Sequence, residues 1–299
     1  MFKSLIRTFA IVAAFIAGYM MPGLHVYSWM FKWMLIVMLF VTFLGIRFKR
    51  MKPERAHWLL TGANLMVALA AWGVCRLVFG DGYLAQAAFF VGIMPTATAA
   101  PVVMGLLGGS VEFMLTALLL INGIICALLP FILPAVVGRG GFEIYLNVAQ
   151  NISLVMLLPL ALALAARRFY PRAIAWPRKL KDVTFGIWVV ILVLIAANAS
   201  YDISSREGIS ERVLEQIGVI ALLVCGVNFG LGYLLGGRTR AAECSQALGQ
   251  KNTTLSIYLA LTYASPIAAL GPTFYVLWHN LWNAWQLYRA SERKPVSYT

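Results

Sequence analysis

Residues 249–254 read Gly-Gln-Lys-Asn-Thr-Thr, and the apolar run Ile257-Tyr258-Leu259-Ala260-Leu261 follows closely. Lys251 is thus an ammonium, flanked by amides and hydroxyls, set well inside an oily stretch. Such a group can do three things: stand in for a bound metal cation, carry a proton, or pair with an anion. An ionisable residue at membrane depth is a functional-site candidate by default. The bland alternative is a lysine that snorkels to an interface, and its depth in the run argues against that. Its three N–H donors suit backbone carbonyls, amide oxygens and hydroxyls. Gln250 stands beside it. Asn64 and Asn122 are mid-run amides, for which joining helices remains an equal alternative.

A second polar interruption lies at Met94-Pro95-Thr96-Ala97-Thr98-Ala99-Ala100-Pro101. Its two prolines remove backbone donors and disfavour helix before each of them. Thr96 and Thr98 are candidates to line a site there; the alternative is back-bonding to a helix carbonyl. Asn252, Thr253 and Thr254 open the apolar run after the first cluster. They can cap a helix and contact a ligand together, because a helix N-terminus carries free N–H groups and favours anions.

Other chemistry finds little to work with. Cys75, Cys126, Cys225 and Cys244 form no CxxC motif, and the three histidines are scattered. No nucleophile with a base, phosphate-cradling loop or metal spacing is visible, so neither an enzyme nor a cofactor is expected. Cys126 and Cys244 read as small buried fillers, and His279 and Asn280 as packing. Glu112 and Glu243 lie near helix starts, where they suit the local dipole.

What must position these residues is a set of membrane spans. The 299 residues are 61% hydrophobic and 12% charged, too apolar for one water-soluble domain. Spans of about 20 apolar residues are predicted at roughly 5–22, 28–46, 57–79, 83–107, 111–137, 143–166, 183–200, 213–235, 240–263 and 266–289. Lys3 and Arg7 before the first run imitate a signal peptide; without a clear cleavage site it reads as a retained helix. With a cytoplasmic N-terminus, 18 of the 24 Lys and Arg fall in the terminal segments and the loops near 47–55, 167–182 and 236–240. The other side holds Lys32, Arg76, Arg139, Arg206 and Arg212. This positive-inside bias predicts a multi-pass protein of the cell inner membrane with both termini cytoplasmic. It also accounts for the net charge of +13 without a nucleic-acid partner.

Ten spans divide into five and five, residues 1–138 and 141–299, with a short flexible tail at 291–299. An odd number per half inverts the second half in the bilayer, and such repeats place a site where matching helices are broken. The fourth span of each half carries one of the two polar interruptions. Non-helical backbone at that depth survives only inside protein or beside a cavity, so both breaks point to one central site.

The order and spacing of GIMPTATAAPVVMGLLGG (92–109), Pro130 with Pro134, NFGLGYLLGG (228–237), GQKNTTLSIYLAL (249–261) and YVLWHNLWNAW (275–285) resemble the bile acid:sodium symporter family and its bacterial homologues. The resemblance covers nearly the whole chain. It implies an all-α fold of ten helices in two inverted repeats, split into panel and core domains. Helices four and nine would unwind and cross at mid-membrane beside an organic anion. The family's sodium-using pattern Glu-x-Gly-x-Gln-Asn, laid on Gly249 and Asn252, puts Ala247 at the Glu and Lys251 at the Gln. At the first crossing, Pro95 and Thr98 fit the pattern, while Ala100 and Pro101 replace its Ser-Asn ligands. Other family ligand positions map to Asn64, Asn122 and Cys126, and the resemblance thereby implies a cation-surrogate or coupling role for Lys251, Asn64, Asn122 and Gln250.

The expected function is therefore secondary transport of a small or amphipathic organic anion by alternating access, independent of sodium, with Lys251 replacing the cation. A proton-coupled carrier using Lys251 and a non-transporting receptor of the same fold are the alternatives. Arsenite efflux, in a related fold, would want a thiol at the first crossing, where none stands.

Overall fold

The computed structural model describes residues 13–45, 51–80, 82–138, 141–205 and 211–292. Lys3, Arg7, Arg47, Lys49, Arg50, Arg139, Arg206 and the tail from 293 lie outside these residues. The first described helix, α1, covers 13–20, and a 3-10 turn at Pro22–Tyr27 follows. Then come α2 (Met30–Leu44), α3 (Arg55–Phe79), α4 (Tyr83–Ile93), α5 (Ala100–Leu107), α6 (Val111–Val136) and α7 (Phe142–Phe169). A second 3-10 turn (Pro171–Ala175) leads to α8 (Trp176–Lys179), α9 (Lys181–Ser205), α10 (Glu211–Gly249), α11 (Thr253–Tyr263) and α12 (Pro266–Glu292).

Local chemistry sets many of these boundaries. Glu54 and His57 form a reciprocal capping box at the start of α3, which ends at Gly80 with φ of 83°. Ser110 caps α6 by accepting from Phe113 N. Span two is shorter than predicted, ending at Leu44 before Gly45. The predicted loop at 167–182 instead carries the 3-10 turn and α8. The predicted loop at 236–240 is a tight reversal inside α10, where Gly237 adopts φ 57° and Arg240 leaves helical geometry. The two arms of α10 pack closely enough that a Cβ on Gly232 would lie 2.4 Å from Cys244 O, and one on Gly236 2.7 Å from Ala241.

α3, α6, α7 and α10 are long and apolar enough to cross a membrane, and the bent stretch from Pro171 through α9 makes a fifth candidate. Large apolar side chains such as Leu77, Leu223 and Leu234 stand on the outside. Such long apolar helices fit a bilayer rather than water.

Packing centres on two groups, joined where α6 lies against α7 and α12 against α9. α2 lies against α7 and α9, and the first 3-10 turn against α9; α3, α4, α6, α10, α11 and α12 pack among themselves. At one end of α3, Arg240 Nη2 meets Glu54 Oε1 at 2.9 Å, and Glu243 Oε1 accepts from Ser110 N at 3.1 Å. A cleft of about 400 Å³ opens there, lined by Lys52, Glu54, Ser110, Phe113 and Arg240 among others. At the other end of α3 a cleft of about 260 Å³ is lined by Trp72, Arg76, Gly82, Gln86 and Gly138.

Candidate functional site

α4 stops at Ile93 because Met94 turns to ψ 134°, the extended geometry that a following proline imposes. α10 ends at Gly249, and α11 restarts at Thr253 with Asn252 Oδ1 accepting from Leu255 N at 3.3 Å. Between these ends the two unwound segments run antiparallel, with Thr96 opposite Lys251. Ala97 N donates to Gln250 O at 2.7 Å, and Asn252 N donates to Pro95 O at 2.8 Å. The crossing is therefore a two-bond patch of sheet inside a helical bundle.

Breaking a helix leaves its last carbonyls without N–H partners. In a continuous helix Gly92 O and Ile93 O would accept from residues 96 and 97. Here Ala97 N turns to Gln250 instead, and side chains from elsewhere supply the donors. Lys251 Nζ donates to Gly92 O at 3.1 Å and also to Asn64 Oδ1 on α3. Asn64 Nδ2 in turn donates to Ile93 O at 2.8 Å. On the other broken helix, Thr96 Oγ1 donates to Ala247 O and Tyr275 Oη to Gly249 O, both at 2.7 Å. Lys251 and Asn64 are each only 1% exposed. The ammonium thus sits at the C-terminal end of α4, where the helix dipole favours a cation. Its hydrogen-bonding partners are neutral oxygens.

Other predicted residues gather at the same place. Asn122 Nδ2 on α6 donates to Thr96 O at 3.1 Å and to Leu118 O, while its Oδ1 is buried without a partner. Gln250, Thr253 and Thr254 are buried at the break, and Gln250 Oε1 has no partner. Thr96 differs from its expected ligand role, because its buried hydroxyl is committed to Ala247 O and fastens the two breaks together. Thr98 is half-buried and Ala99 exposed, which makes them the open edge of the crossing. Ala247, Ala100 and Pro101 are buried and offer no side-chain oxygen. Glu243 lies two helical turns before Lys251, held by Ser110 N and by Arg240 at 3.7 Å. Neither of the two end clefts is lined by Lys251.

Sequence reasoning missed the backbone acceptors, which no residue type reveals, and it missed two donors. Ser256 Oγ donates to Phe90 O at 2.6 Å, two residues before Lys251's acceptor Gly92 O. Tyr275 opens the YVLWHN segment, and its signal is a polar tip on a residue that is 0% exposed. Cys225 lies against Tyr275 and within electrostatic reach of Lys251. Among the described residues no group of His, Cys, Asp and Glu could hold a metal. No protein-family model matches the chain, and no curated protein matches it.

Proposed function

We propose that this chain is a secondary transporter of a small or amphipathic organic anion, working by alternating access without sodium. In this reading it is a multi-pass inner-membrane protein of ten spans in two inverted repeats, related to the bile acid:sodium symporter family. α4 with α5, and the end of α10 with α11, are its broken fourth and ninth spans. The group built on α2, α7 and α9 is the panel that rocks against the rest, and the Glu54–Arg240 end faces the cytoplasm.

One observation carries the proposal: the Lys251 ammonium is seated at a crossing of two broken helices, between Gly92 O and Asn64 Oδ1. Carbonyl and amide oxygens at an unwound helix are the donor set that a transporter offers a hard monovalent cation. A tethered ammonium there supplies the positive charge permanently. The N-termini of α5 and α11 lie beside the same crossing and favour an anion.

The test is uptake of labelled organic acids into proteoliposomes, with candidates chosen by thermal shift. Saturable uptake that is unchanged when potassium or choline replaces sodium is expected. Saturable sodium dependence refutes the ammonium's role, whereas binding without flux refutes transport and leaves a receptor.

A further inference from the structure

α12 carries a polar stripe of which the proposed site uses only Tyr275. Tyr275, His279, Asn283 and Gln286 recur at intervals of four, four and three residues, which places them on one helix face. The stripe is about 16 Å long at the helical rise, and the face it occupies is buried. Tyr275 is fully covered, His279 and Asn283 nearly so, and Gln286 is half-buried at the end of the row. Two amides of α10 complete it. Asn228 Nδ2 donates to Tyr275 Oη at 3.3 Å, and Gln246 Nε2 donates to Asn283 Oδ1 at 2.9 Å and to Gln286 Oε1.

These contacts leave much of the stripe unpaired. Among the described residues six buried side-chain polar atoms have no partner, and four of them belong here: Asn228 Oδ1, Gln246 Oε1, His279 Nδ1 and Asn283 Nδ2. Turning over the amides of Gln246, Asn283 and Gln286 together exchanges donor for acceptor but leaves the same two positions empty-handed, and turning over Gln246 or Asn283 alone sets like against like. Buried polar groups in native proteins find a partner, and where no protein atom serves, ordered water does. One end of the stripe touches the crossing through Tyr275 and Gly249 O. The other end, at Gln286, lies toward the Arg240 end of α10 through Gln246. The opposite half of α12 is different: it buries Ile267, Ala268, Ala269 and Leu270, and its Thr273 hydroxyl bonds its own helix at Ala269 O.

From this pattern we infer that α12 and α10 enclose a one-sided, water-filled path from the crossing to the Gln286 end of the bundle. Bound waters bridge the unpaired amides and the His279 imidazole. The path rests on the transporter reading only for its use, which is to keep the crossing in contact with water from one side. Its existence is independent of flux.

The experiment is hydroxyl-radical footprinting by X-ray radiolysis of the intact protein, read by mass spectrometry, because radicals born from bound water oxidise the side chains beside it. Phe89 and Phe90 are buried to the same degree as Tyr275 and serve as dry references, and exposed Tyr233 as the wet one. After correction for intrinsic reactivity, Tyr275 and His279 should oxidise at least about fivefold faster than Phe89 and Phe90. In the Gln246→Leu/Asn283→Leu variant, which removes two water partners, the His279 signal should fall toward the dry references. Equal rates at Tyr275, His279, Phe89 and Phe90 in the unaltered protein overturn the path, whether or not that variant folds. A footprint at Tyr275 and His279 in an unaltered protein that shows no uptake would count against the transporter reading alone, whereas a His279 signal undiminished in the folded variant would count against the path.

Discussion

Replacing Asn64 with leucine, which has nearly its shape, breaks two contacts at once. It takes the amide oxygen from Lys251 Nζ and the amide donor from Ile93 O. A hydrogen bond to a charged group contributes about 1.5–3 kcal/mol, and an orphaned buried carbonyl costs about 1–3 kcal/mol. The single change should therefore destabilise by about 2.5–6 kcal/mol. At roughly 2 °C per kcal/mol for a chain of this size, Tm should fall by about 5–12 °C. Lys251→Met alone orphans Gly92 O and Asn64 Oδ1, which by the same rule costs about 2–6 kcal/mol before any gain from removing a buried charge. In the double variant neither a charge nor its amide partner remains, and only the two α4 carbonyls are orphaned, again about 2–6 kcal/mol. The costs should then be sub-additive by about 2.5–6 kcal/mol, so the double variant melts no lower than Asn64→Leu. A thiol-reactive dye reads this directly, since Cys75, Cys126, Cys225 and Cys244 are free and buried until the protein unfolds. Additivity within about 0.5 kcal/mol would mean that Asn64 and Lys251 act independently, and the seated-ammonium account would fall.

Two further outcomes follow from the same geometry. Lys251→Gln should abolish uptake, and adding Ala247→Glu should restore part of it in a form that now requires sodium; uptake by Lys251→Gln equal to the parent without sodium would refute this. Gly92→Ala should lower Tm by several degrees, because its Cβ would stand 2.5 Å from Ala68 Cα, and overpacking against backbone costs about 1–3 kcal/mol. Gly123→Ala meets nothing within 4 Å and sits inside α6, so it should be neutral or stabilising by up to about 1 kcal/mol. Equal Tm values for the two would refute the close approach of α4 to α3.

Both helix breaks were legible because proline and a glycine-led polar cluster disrupt helix through their own covalent chemistry, whatever surrounds them. The pairing between them was not, because Ala97 N, Gln250 O, Pro95 O and Asn252 N are backbone atoms common to almost any residue. Lys251 announced itself by charge in an apolar run, and Asn64 through the resemblance, but the Gly92 carbonyl between them is visible only once α4 has a place in space. Thr96 shows the limit from the other direction. Its hydroxyl was readable as a ligand, yet a donor that must answer Ala247 O is no longer free for one. The α12 stripe was available in the spacing of Tyr275, His279, Asn283 and Gln286, but an aromatic-rich context hid its period.

Apart from Asn64 Oδ1, the acceptors at the crossing are main-chain oxygens, those of Pro95, Gly92, Ile93, Thr96, Ala247, Gly249 and Gln250. No substitution at those positions deletes a carbonyl, so the negative lining of the crossing is inherited with the backbone shape. What mutation can change is the donor or ion that answers it. A lysine codon is a single-base change from a glutamine codon, and on the proposed reading the side chains at positions 251 and 247 together decide whether the positive charge is tethered or must be collected from solution. On the proposed transport reading, a lineage carrying this fold can therefore gain or lose dependence on an external ion gradient in very few mutational steps, while the scaffold around the crossing stays as it is.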